Sequence, residues 1–100
     1  MMFNQARNIE CKDARRLVEA GAQLIDVRSP QEYAQGSLPG SVNLPLQVLH
    51  AGEHQLCDKT PVIVYCASGM RSNQAANVLF ASGYREVHDL GTWRRFVNCD

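Results

Sequence analysis

The sequence lacks an excess of either charge and lacks any long apolar run. Its 100 residues include 10 Lys and Arg and 10 Asp and Glu, which gives a formal net charge of zero. A nucleic-acid surface that relies on a large positive field is therefore not expected. No apolar run approaches the ~20 residues that a membrane span needs, and residues 1–7 do not have the pattern of a secretory signal. We expect a cytoplasmic protein that binds neither nucleic acid nor membrane.

The sequence also lacks the cysteine spacings of zinc sites and redox pairs. Its four cysteines, Cys11, Cys57, Cys66 and Cys99, contain no Cys-x-x-Cys pair. The three histidines are scattered, and none lies at a spacing that would make it a metal ligand with the cysteines. We expect no metal site and no disulfide scaffold, so the cysteines are interpreted as free thiols in a reducing compartment.

Strand-like and helix-like segments alternate along the chain, which is long enough for one compact core and a single domain over residues 1–100. The strongest strand pattern is the apolar run at 61–65, and the strongest helix pattern spans 72–82. Ser29 and Glu32 are spaced as a capping box, which predicts a helix start. The other predicted elements are helices at 12–20 and 93–97 and strands at 23–27, 41–44 and 86–88. This alternation favours an α/β fold with a parallel sheet and a ligand site beyond the carboxyl ends of the strands.

Cys66 lies between the strongest strand and the strongest helix. A sulfur there lies near backbone N–H groups and the positive end of a helix dipole, an environment that favours a thiolate. Gly69 gives the tight loop its conformational freedom, and Arg71 adds a permanent cation. Cys66 is therefore the predicted nucleophile, and the loop is predicted to bind an anionic substrate such as a thiosulfonate or phosphoryl group.

Other interpretations compete at this stage. A cysteine after an apolar strand is often inert packing, but the glycine and arginine at their offsets and the placement between strand and helix favour a reactive Cys66. Asp26 and Arg28 end a predicted strand and could face the site. Arg28 and Glu32 are also spaced as a local ion pair that would hold the capping box, and we favour this structural interpretation.

Three motifs in order resemble the rhodanese family, from about Ile9 to Phe96. The first signature is matched by Leu24-Ile25-Asp26-Val27-Arg28 with Glu32-Tyr33 and by the run 36–45, Gly-Ser-Leu-Pro-Gly-Ser-Val-Asn-Leu-Pro. The run Cys66-Ala67-Ser68-Gly69-Met70-Arg71-Ser72 looks like the active-site loop, and the chain most resembles the small single-domain thiosulfate sulfurtransferases. The resemblance implies a three-layer rhodanese-like domain with a five-stranded parallel sheet flanked by helices.

The resemblance also implies the chemistry. Cys66 would carry a persulfide formed from thiosulfate or a persulfide donor, and would pass the sulfur to cyanide or a thiol. The loop residues Ala67, Ser68, Gly69, Met70, Arg71 and Ser72 would bind the substrate, with Arg71 also catalytic. The expected partners are a small-molecule sulfur donor and acceptor, with a sulfur-accepting protein as a further candidate, and no cofactor is expected. Ser37 replaces the usual histidine of its turn, and the closing motif at 90–93 keeps one of two glycines.

Two rival functions remain open from the sequence. Cysteine phosphatases and arsenate reductases also place a cysteine and an arginine around an anion loop, but four residues separate Cys66 from Arg71 here and phosphatase loops carry one more. The shorter loop favours a sulfane sulfur over a tetrahedral phosphate. A non-catalytic docking module of the rhodanese type is the other rival, and such modules usually lack the cysteine.

Overall fold

A computed structural model describes residues 7–97. It contains five strands and five helices in this range. They are β1 (Arg7–Asn8), α1 (Cys11–Glu19), β2 (Gln23–Asp26), α2 (Pro30–Gln35), β3 (Val42–Asn43), α3 (Leu46–Ala51), β4 (Val62–Cys66), α4 (Met70–Ala81), β5 (Val87–Thr92) and α5 (Arg94–Val97). None of the helices between residues 7 and 97 has the length and apolar character needed to cross a membrane.

The sheet has the order β1-β5-β4-β2-β3, and every neighbouring pair of strands is parallel. This confirms the predicted α/β fold with a five-stranded parallel sheet flanked by helices. The central strand is β4, whose five residues are all buried. A strand that is covered on both faces needs apolar side chains on both, which explains its run without polar alternation.

Two apolar clusters lie on opposite faces of the sheet. Val62, Val64 and Cys66 of β4 pack in one cluster with residues of α3 and α4. Ile63 and Tyr65 point to the other face and pack with α1 and the chain around α5. Because side chains alternate along a strand, this register places Cys66 on the α4 face. The sheet therefore holds the end of β4 directly under the first turn of α4.

The predicted start of α2 is confirmed in detail. Ser29 Oγ accepts a hydrogen bond from the Glu32 backbone N–H, and a Glu32 carboxylate oxygen accepts one from the Ser29 N–H. Pro30 occupies the first helical position, where its missing N–H costs nothing. The capping box fixes the orientation of the Glu32 side chain, and this side chain also takes part in the candidate site.

Candidate functional site

Cys66 lies at the end of β4 with its side chain fully enclosed. Its Sγ accepts hydrogen bonds from the backbone N–H of Gly69 at 2.9 Å and of Ser72 at 3.4 Å. Two amides therefore converge on the sulfur from the loop and from the first turn of α4. Such donors stabilise negative charge at the atom they approach, which is what a thiolate or persulfide needs.

Gly69 makes the turn that brings these amides inward. Its φ is +102°, in the left-handed region that side chains rarely adopt. A Cβ at this position would lie 3.8 Å from the Cα of Gly91, an ordinary contact. The backbone conformation, and not a lack of space, is therefore what favours glycine here.

Ser72 ties the loop to the neighbouring strand. Its buried hydroxyl donates to the carbonyl of Gly69 at 3.1 Å and lies 3.5 Å from that of Gly91. The Trp93 N–H also donates to the Cys66 carbonyl at 3.1 Å. These bonds hold both ends of the loop against β5.

Arg71 forms a two-pronged ion pair with Glu32. Its Nη1 and Nη2 lie 2.7 and 3.1 Å from the two carboxylate oxygens. Chiefly through this hydrogen-bonded pair, the pKa of Glu32 falls from 4.5 to about 2 and the pKa of Arg71 is raised. Both side chains are more than a third exposed, so solvent screens the pair and limits its contribution to stability. Its clearer effect is to link α2 to the first turn of α4.

The predicted pairing of Arg28 with Glu32 is wrong. Arg28 instead donates to both carboxylate oxygens of Asp26, at 2.7 to 3.0 Å, and its guanidinium lies 4.4 Å from the centre of the Trp93 ring. The four-residue spacing does not apply because α2 begins only at Pro30, so Arg28 and Glu32 do not share a helix. Asp26 and Arg28 are almost fully buried and neutralise each other.

A cavity of about 510 Å³ lies on the other flank of the loop. Its lining includes Ser68, Gly69 and Met70 from the loop side. Asp89 of β5 and Arg95 of α5 also line it. Asp89 is 5% exposed, and one of its carboxylate oxygens accepts the Gly91 N–H at 2.8 Å. Sequence reasoning missed both Asp89 and the contact of Glu32 with Arg71.

The predicted substrate-binding residues occupy different positions around the sulfur. Ala67, Ser68 and Met70 are exposed, and Met70 is 73% exposed at the rim of the cavity. Hydrogen bonds to the sulfur come from the amides of Gly69 and Ser72, whereas the guanidinium of Arg71 is directed to Glu32. In this structure the amides that reach the Cys66 sulfur are therefore those of Gly69 and Ser72.

The other cysteines and histidines lie apart from this arrangement. Cys57 is an exposed free thiol, and a hydrogen bond from the Thr60 hydroxyl is the main cause that lowers its pKa.

Cys11 takes part in a disulfide bond, so the expectation of free thiols is wrong for it. Cys11 begins α1, which packs against α5. The spacing of cysteines along the sequence does not reveal that these two helices are neighbours in the fold. Cys99 lies outside the described residues. His88 pairs with Glu86 at 2.8 Å.

Comparison with known proteins identifies the family. The profile of the rhodanese-like domain matches residues 10–98. The uncharacterized protein YqhL of Bacillus subtilis is 39% identical over 69% of this chain, which spans only 55% of that protein. Thiosulfate sulfurtransferase GlpE of Pseudomonas paraeruginosa is 32% identical, with 99% of this chain and 94% of the relative covered.

A solved structure gives the same assignment. The human single-domain sulfurtransferase TSTD1 superposes with a TM-score of 0.79 at 25% identity, covering 95% of this chain and 98% of the human one. The fold and the sequence match therefore agree. This chain belongs to the rhodanese-like domain family.

Proposed function

We propose that the protein is a thiosulfate sulfurtransferase in which Cys66 is the nucleophile. The observation that carries this proposal is the convergence of the Gly69 and Ser72 amides on the Cys66 sulfur. The names of relatives that the chain resembles support the reaction class, since GlpE is a thiosulfate sulfurtransferase and TSTD1 a sulfurtransferase. The substrates are a small-molecule sulfur donor and a small-molecule acceptor.

The first half-reaction loads the sulfur. The Cys66 thiolate attacks the outer sulfur of thiosulfate, a bond forms between the two sulfurs, and the sulfur–sulfur bond of thiosulfate breaks. Its electron pair leaves with sulfite, so the products are sulfite dianion and an anionic Cys66 persulfide. The charge is the same on both sides of this step. The Gly69 and Ser72 amides lie where they would stabilise the sulfur anion before and after it.

The role proposed for Arg71 is to hold the donor anion and the leaving sulfite. A guanidinium has five N–H donors, and Glu32 takes one from each terminal nitrogen. Three N–H groups therefore remain for oxyanions without breaking the ion pair. Glu32 would thus fix the orientation of Arg71 while leaving part of it to bind the donor.

The enclosed position of Cys66 has a consequence for access. The sulfur is fully buried in this structure, so a donor reaches it only when the groups that cover it move aside. Ala67 and Ser68 are exposed, and their displacement would cost little packing. We therefore expect small anionic donors to react faster at Cys66 than bulky reagents do.

The proposal is tested by steady-state sulfur transfer from thiosulfate to cyanide. Cys66→Ser should reduce the rate to background because it removes the nucleophile, and near-ultraviolet circular dichroism should show an unchanged fold. Cys57→Ser, which changes an exposed thiol outside the site, should retain most of the activity. Full activity in Cys66→Ser, or its loss in Cys57→Ser, would reject the assignment.

A further inference from the structure

Asp89 differs from the other aspartate buried at the carboxyl edge of the sheet. Asp26 is fully buried and forms an ion pair with Arg28. Asp89 is 95% buried, yet no Lys, Arg or His nitrogen of the described residues lies within ion-pair distance of it. Buried carboxylates are rarely left without a cation. The Asp89 site is therefore incomplete within residues 7–97.

One oxygen of Asp89 is available to a ligand. The first oxygen, Oδ1, accepts the Gly91 N–H, and no hydrogen bond from a described residue reaches Oδ2. Within the same part of the chain, no fully enclosed side-chain oxygen or nitrogen lacks a partner. Oδ2 must therefore be open to the surroundings, and Asp89 lines the cavity next to the loop.

The position of this oxygen suits the second half-reaction. Asp89 pairs with Val64 in the register of β5 and β4, two residues before Cys66. Val64 and Cys66 point to the α4 face, and so does Asp89 as the register partner of Val64. The length of two residues along a strand, combined with the spacing between neighbouring strands, places the Asp89 and Cys66 Cα atoms about 8 Å apart. A small molecule with two polar ends can span such a distance.

The cavity also has the size and charge of a small-molecule site. Its volume of about 510 Å³ lies within the range of known ligand pockets, ~300–1,000 Å³. Asp89 supplies a buried negative charge on its wall, and the exposed Arg95 also borders it. A cation is attracted to the enclosed carboxylate more than to the solvated rim, because charges interact more strongly away from water.

We propose that this cavity binds the sulfur acceptor and that the acceptor is a low-molecular-weight thiol with a primary ammonium group, held by Asp89. The inference rests on the proposed function. The acceptor thiolate attacks the outer sulfur of the Cys66 persulfide, and a new sulfur–sulfur bond forms. The bond between that sulfur and Cys66 breaks, its electron pair returns to Cys66 as thiolate, and the acceptor leaves as a persulfide. Asp89 is a binding residue in this step and takes no proton.

The test measures the charge preference of the second half-reaction. Persulfide-loaded protein, verified by mass, is mixed in stopped flow with cysteamine or with the neutral 2-mercaptoethanol, and the rate constants for persulfide loss are compared as a ratio. Asp89→Asn keeps an oxygen for the Gly91 N–H but removes the charge. It should lower the cysteamine to mercaptoethanol ratio about tenfold, as expected for one charge-assisted hydrogen bond.

The control is Asp58→Asn, which removes an aspartate that lines a different cavity. The ratio should remain at the wild-type value in this variant. An unchanged ratio in Asp89→Asn, or an equal fall in Asp58→Asn, would overturn the inference. Because the ratio compares two thiols on one protein, a partial loss of persulfide does not imitate the expected result.

A second measurement separates this inference from the proposed function. Ethanolamine carries the ammonium group without a thiol, so it can bind but cannot react. Titration into the free protein should produce a saturable NMR shift of the Gly91 amide, which bonds to Asp89. Ethylene glycol should produce none, and Asp89→Asn should lose the response. Absence of a saturable shift in the wild type would reject the ammonium site even if sulfur transfer is confirmed, and its presence would support the site even if sulfur transfer fails.

Discussion

The two flanks of the Cys66 loop differ in how their charges are satisfied. On the α2 flank, Arg71 pairs with Glu32 and Arg28 pairs with Asp26. On the β5 flank, Asp89 is buried beside a cavity and has no cationic partner among the described residues. A flank whose charges neutralise each other keeps its shape without a ligand, whereas a flank with an unpaired buried charge can bind one. On the proposals above, the α2 flank is the supporting side, which keeps Arg71 in place to hold the donor, and the β5 flank is the receiving side for the acceptor.

The largest expected effect comes from changing the loop between the flanks. Inserting one glycine between Gly69 and Met70 should lower sulfur transfer about a hundredfold or more, because the Gly69 and Ser72 amides would no longer converge on the sulfur. Thiosulfate to cyanide transfer measures it. A glycine inserted between Glu53 and His54, in a segment outside the site, should leave the rate nearly unchanged.

The same loop also separates the proposed function from its nearest rival. The unmodified chain should show negligible hydrolysis of aryl phosphates. Robust phosphatase turnover without sulfur transfer would contradict the sulfurtransferase assignment and leave only the fold. The inserted variant need not gain phosphatase activity, because we identify no general acid for a leaving alcohol.

Removing the cation of the supporting side should affect the two half-reactions unequally. Arg71→Ala should slow persulfide formation from thiosulfate by about tenfold to a hundredfold, the range for losing a charged hydrogen bond. Transfer to an uncharged thiol should slow less, because sulfite is absent from that step. Stopped-flow measurement of each half-reaction provides the comparison. Equal losses in both would show that Arg71 chiefly shapes the loop.

Two glycines with the same backbone conformation separate strain from catalysis. Gly69 has φ +102° in the loop, and Gly83 has φ +100° after α4, outside the site. Alanine at either position should lower the free energy of unfolding by about 1–2 kcal/mol, because a side chain disfavours this left-handed backbone conformation. A Cβ at either position would meet no steric clash. Only Gly69→Ala should also slow sulfur transfer. A comparable loss of rate in Gly83→Ala would mean that both act through global stability.

The smallest expected effect is the pH dependence of the Arg71–Glu32 pair. The pKa of Glu32 is lowered from 4.5 to about 2 in the folded state, chiefly by Arg71. Its stabilisation is therefore present above pH 4.5 and is lost as pH falls towards 2. Denaturant unfolding should show Glu32→Gln slightly less stable than wild type at pH 6, with the difference shrinking below pH 4.5. A constant difference would show that the charge of Glu32 does not matter.

The sequence predicted those parts of the molecule that depend on local patterns. The apolar run of β4 and the capping box at Ser29 both appear where expected. The position of Cys66 at the end of β4 follows from the same run. These features need only neighbouring residues, and the parallel sheet follows from their order.

The charge partners were harder to predict because they depend on packing between distant segments. Glu32 and Arg71 are 39 residues apart and meet only when α2 and α4 lie on the same side of the site. Asp89 is buried because β5 is covered by its neighbours, and a sequence pattern gives little sign of this. The prediction that Arg28 pairs with Glu32 failed because it assumed a helical spacing, whereas Arg28 lies before α2 begins at Pro30.

The central claim is that Cys66 carries the transferred sulfur, and intact mass followed by peptide mapping tests it most directly. After brief treatment with thiosulfate, the protein should gain one sulfur, about 32 Da, which dithiothreitol removes. The added mass should map to the peptide that contains Cys66 and should be absent in Cys66→Ser. Absence of any gain, or a gain that maps to the exposed Cys57, would contradict the account.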